Sequence, residues 1–256
     1  MRFLARAGLT ARGVMYVIVG SIAIQVAFGN SRQQADRSGA LHLIGTTRFG
    51  AIALWLLVAG FISMALWQLS EAIYGSPGAG SRKTGSRLAA LARSARYAVV
   101  AYGVLEYALG VGSPPSSNQQ SVDLTATVMK HPGGRVAVIV AGLAFIGSGL
   151  YLAYAAWQKN FLKRLQLTHQ MRAGTRRGAE WLGRIGGIAR GAVFAIAGVF
   201  LVIAAVRAQP QEAKGVDASL RALAAAPLGP WLLLAVAIGL IMFGAYSCCE
   251  ARWRRL

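Results

Sequence analysis

"RAGLTARGVMYVIVG", residues 6–20, carries two arginines into an apolar run and sets two glycines seven residues apart, and the chain returns to this arrangement further on. The composition around it is that of a membrane protein. Of 256 residues 55% are hydrophobic and 14% charged, too apolar for one or two ordinary soluble domains. Read with a window of about 19 residues, the hydropathy separates into six blocks, at 13–28, 50–69, 97–111, 136–157, 191–206 and 231–248. The second, fourth and sixth reach the roughly 20 residues that a spanning helix needs. The others reach it when extended backwards through Arg12, Arg96 and Arg190, whose stems can run along the helix and leave the guanidinium at the headgroups.

Basic residues are distributed unevenly over the connecting segments. The N-terminus, the segments around 70–96 and 158–190, and the C-terminus hold 19 of the 27 Lys and Arg, and the three remaining loops hold 8. By the positive-inside rule both termini are expected on the cytoplasmic side of a bacterial plasma (inner) membrane. The net charge of +19 is then a topology signal and an attraction to anionic lipid rather than a nucleic-acid footprint. The first block is expected to be an uncleaved span, because "AFGNSRQQ" after it offers a poor cleavage site and because it resembles later helices. Cys248 and Cys249 are adjacent at the inner end of the last block and read as packing residues.

The opening pattern recurs as "RIGGIARGAVFAIAG", in which Arg184, Arg190, Gly191 and Gly198 match Arg6, Arg12, Gly13 and Gly20. A third copy is read as "RYAVVAYGVLEYALG": Arg96 begins it, Tyr102 replaces the second arginine, and Gly103 and Gly110 keep the seven-residue interval. The partner blocks also align, Gly50 and Glu71 matching Gly229 and Glu250, whereas the middle copy keeps Gly134 but has Ala155 in place of the glutamate. The fold class expected is therefore all-α integral membrane: six transmembrane helices as three parallel two-helix repeats in a pseudo-threefold bundle, a single transmembrane domain over 1–256 with repeats near 1–75, 88–160 and 180–256. Residues seven apart share a helix face, so Gly13, Gly20, Gly103, Gly110, Gly191 and Gly198 are expected to let helices approach closely.

Three tandem helix pairs, each opening with an arginine-rich, glycine-spaced span, and a last copy reading "LRALAAAPLGPWLLLAVAIGLIMFGAY", resemble the bacterial family called domain of unknown function 1206 over nearly the whole chain. The resemblance implies a six-span inner-membrane protein and supplies no catalytic residues. The three outer loops share their own feature, short acid-started segments "ADRSGALHLIG", "SVDLTATVMKH" and "GVDASLRALAA", with Asp36, Asp123 and Asp217 suited to cap helices lying at the outer surface.

Catalytic constellations are scarce. His42, His131 and His169 fall outside the spans, and neither a phosphate loop nor a nucleophile elbow occurs, so no catalytic, cofactor or metal residue is expected. Glu106 stands in the middle of the third block, opposite Tyr16 and Phe194 in the alignment above, and is the candidate intramembrane polar or proton/cation site. Arg6, Arg12, Arg96, Arg184 and Arg190 are candidate contacts for lipid headgroups. The sequence thus points to a non-enzymatic structural or regulatory envelope component that binds lipid, with a membrane-protein partner or a second copy as further partners. The alternative is a small channel or transporter for protons, cations or small solutes.

Overall fold

The computed structural model describes residues 2–29, 34–75, 84–111, 116–158 and 173–253. Among these the chain forms nine α-helices and no strand: α1 (Arg2–Ala27), α2 (Arg37–Gly45), α3 (Gly50–Tyr74), α4 (Thr84–Ala108), α5 (Ser117–Met129), α6 (Gly134–Trp157), α7 (Ala173–Arg207), α8 (Val216–Ala224) and α9 (Gly229–Trp253). Six of them, α1, α3, α4, α6, α7 and α9, are long and apolar enough to cross a membrane. The chain is a multi-pass membrane protein of the expected class. Large apolar side chains such as Leu56, Val136, Tyr151 and Trp231 stand exposed around the bundle, where lipid tails solvate them.

The six long helices pack in the circular order α1–α3–α4, then α6–α7–α9, with α9 returning to α1. Two kinds of seam hold this circle. Between successive repeats glycines let backbone meet backbone: a Cβ added at Gly13 would fall 2.8 Å from the Gly244 carbonyl oxygen of α9, and one at Gly191 would fall 2.5 Å from that of Gly149 on α6. Gly20 and Gly198 meet Ala237 and Gly142 in the same way about two turns further along the same face. Within a repeat the seam is a glycine notch, Gly8 against Met64 and Gly60 against Ala11 in α1/α3, repeated as Gly186 against Phe243 and Gly239 against Ala189 in α7/α9.

The middle repeat departs from this plan. Among the described residues, α4 and α6 form no packed interface comparable with α1/α3 or α7/α9, so the circle is open on that side. The sequence gives a steric cause, since the notch glycines Gly8 and Gly60 correspond to Ala89 and Ala144 in the middle copy, and both alanines are exposed. A methyl group there removes the space that a close crossing requires.

The middle copy also has a different register from the one expected. Ser94, not Gly103, occupies the seam position of Gly13 and Gly191, and its hydroxyl donates to the Ala65 carbonyl across α3/α4 at 2.8 Å. A Cβ at Gly103 would meet nothing within 4 Å. Gly110 lies beyond the end of α4 with φ +72°, as Gly29 lies beyond α1 with φ +71°; each ends its helix in a conformation that glycine adopts without steric cost. Arg87, Arg93, Ser94, Tyr97 and Gly110 therefore match Arg6, Arg12, Gly13, Tyr16 and Gly29, nine residues before the alignment read from glycine spacing.

The short helices α2, α5 and α8 cover one end of the bundle, and their starts interlock. Asp36 is buried and caps α2 by accepting from the Gly39 N–H, and its other oxygen accepts from both the N–H and the hydroxyl of Ser117 at 2.7 Å. The Ser117 hydroxyl in turn accepts from the Val216 N–H, and Asp217 accepts from the Ala35 N–H. The three helix starts thus satisfy one another in a cycle, with two carboxylates set against their converging positive ends. Asp123 has a smaller part than expected: it lies inside α5 and accepts from the Gln119 side chain, while Ser116 supplies the cap.

Candidate functional site

Each close seam places an arginine beside the neighbouring repeat. Next to Gly13, Arg12 reaches α9 and donates to Glu250 at 2.8 Å, with both side chains largely buried. At the equivalent place on α4, Arg93 stands 3.9 Å from Glu71 and donates through Nε to Gln68. The third seam lacks the acid, because Ala155 occupies the position of Glu71 and Glu250. Among the described residues Arg190 makes no ion pair, and the Nε atoms of Arg190 and Arg12 are buried without a hydrogen-bond partner.

Aromatic faces partly replace the missing carboxylate. The Arg190 guanidinium lies 5.0 Å from the centre of the Phe243 ring, 5.6 Å from Phe194 and 5.9 Å from Tyr16. Arg12 lies 5.4 Å from the same Phe243 ring, which Tyr16 meets edge-on at 4.8 Å. Tyr97, stacked on Phe61, hydrogen-bonds with Arg12. Such contacts stabilise a cation by about 0.5–2 kcal/mol each, less than a full set of charge-assisted hydrogen bonds.

A further cation comes from the capped end. Arg37, the first residue of α2, is half-buried and interacts electrostatically with Tyr16; burial lowers its pKa from the ordinary guanidinium value, with Asp36 and then Tyr16 opposing that shift.

The other residues singled out by sequence lie apart from this cluster. Arg6 is exposed, Arg96 lies 5.3 Å from the Tyr97 ring centre and Arg184 3.7 Å from that of Trp157. Glu106 is near the end rather than the middle of its candidate span. It stands in the last turn of α4, half-buried and hydrogen-bonded to Tyr102, and in the corrected register its mates are Gln25 and Ile203. Sequence reading missed Arg93, Tyr97, Phe243 and Arg37. The first two carried a signal, the spacing of Arg87 to Arg93 and Tyr97 copying that of Arg6 to Arg12 and Tyr16. Among the described residues no three His, Cys, Asp or Glu side chains gather to hold a metal ion, and Cys248 and Cys249 are both free thiols.

Above the arginines, between α6 and α7 and beneath α5, lies a cavity of about 470 Å³. Val138, Phe145, Ala197 and Leu201 form much of its wall, and Ser117, Gln120 and Lys214 stand at its polar edge. Phe145 stacks on Phe194 at 5.9 Å, so the cavity adjoins the aromatic group under Arg190.

The model of the family described as Domain of Unknown Function (DUF1206) matches residues 7–75, 88–159 and 185–254, one match per helix pair. An uncharacterized protein of Bacillus subtilis (strain 168), YxxB, is 28% identical over 256 residues, covering 98% of this chain and 90% of its own length. No solved structure matches the chain. The chain belongs to the DUF1206 family.

Proposed function

We propose that this member of the family is a non-enzymatic structural or regulatory component of the bacterial plasma (inner) membrane, with cytoplasmic termini, that binds anionic lipid at the end of the bundle opposite the cap. The observation that carries the proposal is that Arg6, Arg12, Arg93, Arg96, Arg184 and Arg190 all stand at or before the midpoints of α1, α4 and α7, the three helices that run from the end opposite the cap. These arginines outnumber the acids available to them, Glu71, Glu180 and Glu250. An excess of guanidinium near the bilayer surface attracts phosphate headgroups and, in the inner leaflet, meets anionic lipid.

Two measurements test the proposal. Reporter fusions at the C-terminus are expected to be active only as cytoplasmic reporters, and an exported C-terminus contradicts the orientation. In detergent, added phosphatidylglycerol is expected to raise the melting temperature while phosphatidylcholine leaves it unchanged. Equal responses to the two lipids remove the case for anionic-lipid binding.

A further inference from the structure

We infer that the open side of the helix circle is a docking groove for one anionic phospholipid, its phosphate on Arg190 and one acyl chain in the cavity beneath α5. The inference rests on the lipid-binding reading above and assigns it a place. Four residues of α7, Arg190, Phe194, Ala197 and Leu201, follow one another at intervals of four, three and four and so share a helix face. Contacts join them into a path: guanidinium on the Phe194 ring, Phe194 on Phe145, and Phe145, Ala197 and Leu201 in the cavity wall. From Arg190 to Leu201 is about 16 Å along the helix, close to half the hydrocarbon thickness of roughly 30 Å. A cation at one end and an apolar cavity reaching about half the hydrocarbon thickness from it match the spacing of a phospholipid's phosphate and acyl chain.

Charge selects the occupant. Arg12 and Arg93 have glutamates across their seams, and for Arg190 the equivalent position of the repeat is Ala155. Arg190 and Ala155 are both half-buried, so the position is reachable, and the missing α4/α6 interface leaves a sideways entrance from the bilayer. A lipid phosphate would take the place of the absent carboxylate and could accept from Arg190 Nε, which is buried and unpaired. A free phosphate would satisfy the arginine but leave the cavity unused.

The test is native mass spectrometry of the full chain in mild detergent with added dioleoyl-phosphatidylglycerol. Wild type is expected to retain one lipid tightly, with affinity lowered tenfold or more in Ala155→Glu, which supplies the missing acid, in Arg190→Gln and in Leu201→Trp, which fills the cavity. Circular dichroism melting identifies any variant that fails to fold; Ala155→Glu, which adds a partner for an existing cation, is expected to melt no lower than wild type. Equal retention by wild type and all folded variants overturns the groove while leaving general anionic-lipid binding intact. A wild type that retains no anionic lipid overturns both. Loss of the lipid in Lys214→Gln but not in the Arg190 or Ala155 variants overturns the assigned orientation, and stabilisation of wild type by inorganic phosphate equal to that by lipid overturns the choice of occupant.

Discussion

Arg12 of the first helix donates to Glu250 of the last at 2.8 Å, a charged hydrogen bond between residues 238 positions apart that joins the two ends of the chain. Removing the acid leaves a buried cation without its counter-charge. Glu250→Ala is expected to cost on the order of 3–5 kcal/mol, as for other broken buried pairs. Glu71→Ala acts on Arg93, whose side chain is 43% exposed at 3.9 Å, and is expected to cost about 1 kcal/mol or less. Reversible unfolding in detergent compares the two, and equal losses contradict the difference in burial.

The seam glycines and the unpartnered glycine of the middle copy respond in opposite directions. Gly191→Ala places a methyl group against the Gly149 carbonyl and is expected to destabilise by about 1–3 kcal/mol. Gly103→Ala meets nothing within 4 Å and improves helix propensity, with an expected gain of roughly 0.5–1 kcal/mol. Destabilisation by both substitutions would restore the glycine-spacing register that the Ser94 contact replaces.

At the capped end, Asp36→Ala removes the helix cap and leaves the donors of buried Gly39 and half-buried Ser117 without their acceptor, an expected loss of about 2–3 kcal/mol. Amide exchange is the appropriate measurement, because the loss is expected to appear at Ser117 of α5 as well as at Gly39 of α2. Faster exchange confined to α2 would show that the three helix starts are not energetically linked.

Glu106 separates the lipid-binding reading from a conducting one. Glu106→Gln keeps a hydrogen-bonding side chain beside Tyr102 and is expected to change stability by no more than about 0.5 kcal/mol. Vesicles containing wild type are expected to pass protons and monovalent cations no faster than protein-free vesicles. A flux present in wild type and lost in the glutamine variant would reinstate this residue as a transport site.

The six spans and the three copies were legible because the hydropathy blocks exceed the length threshold and because Gly13, Gly20, Gly191 and Gly198 repeat visibly. The register of the middle copy was not, for a specific reason: its seam uses Ser94 and Ala101, which are as small as the task requires without being glycine, while Gly103 and Gly110 imitate the interval by accident of a helix terminator. Glycine spacing alone cannot distinguish a packing glycine from one that ends a helix. Ala155 was visible as a departure from the repeat, but its meaning required knowing that Arg12 and Arg93 pair with the glutamates at the equivalent positions. Phe243 gave no sequence signal, since any large apolar residue on α9 would read alike.

The opening between α4 and α6 has a consequence for how the molecule is made. Chain order and packing order are out of step: the gap falls between α4 and α6, which are near in sequence, while α1 packs against α9, which is far from it. Until α9 has entered the bilayer, the backbone of Gly13 and Gly20 on α1 lacks its partner and Arg12 lacks Glu250. Packing of the first helix therefore waits on insertion of α9.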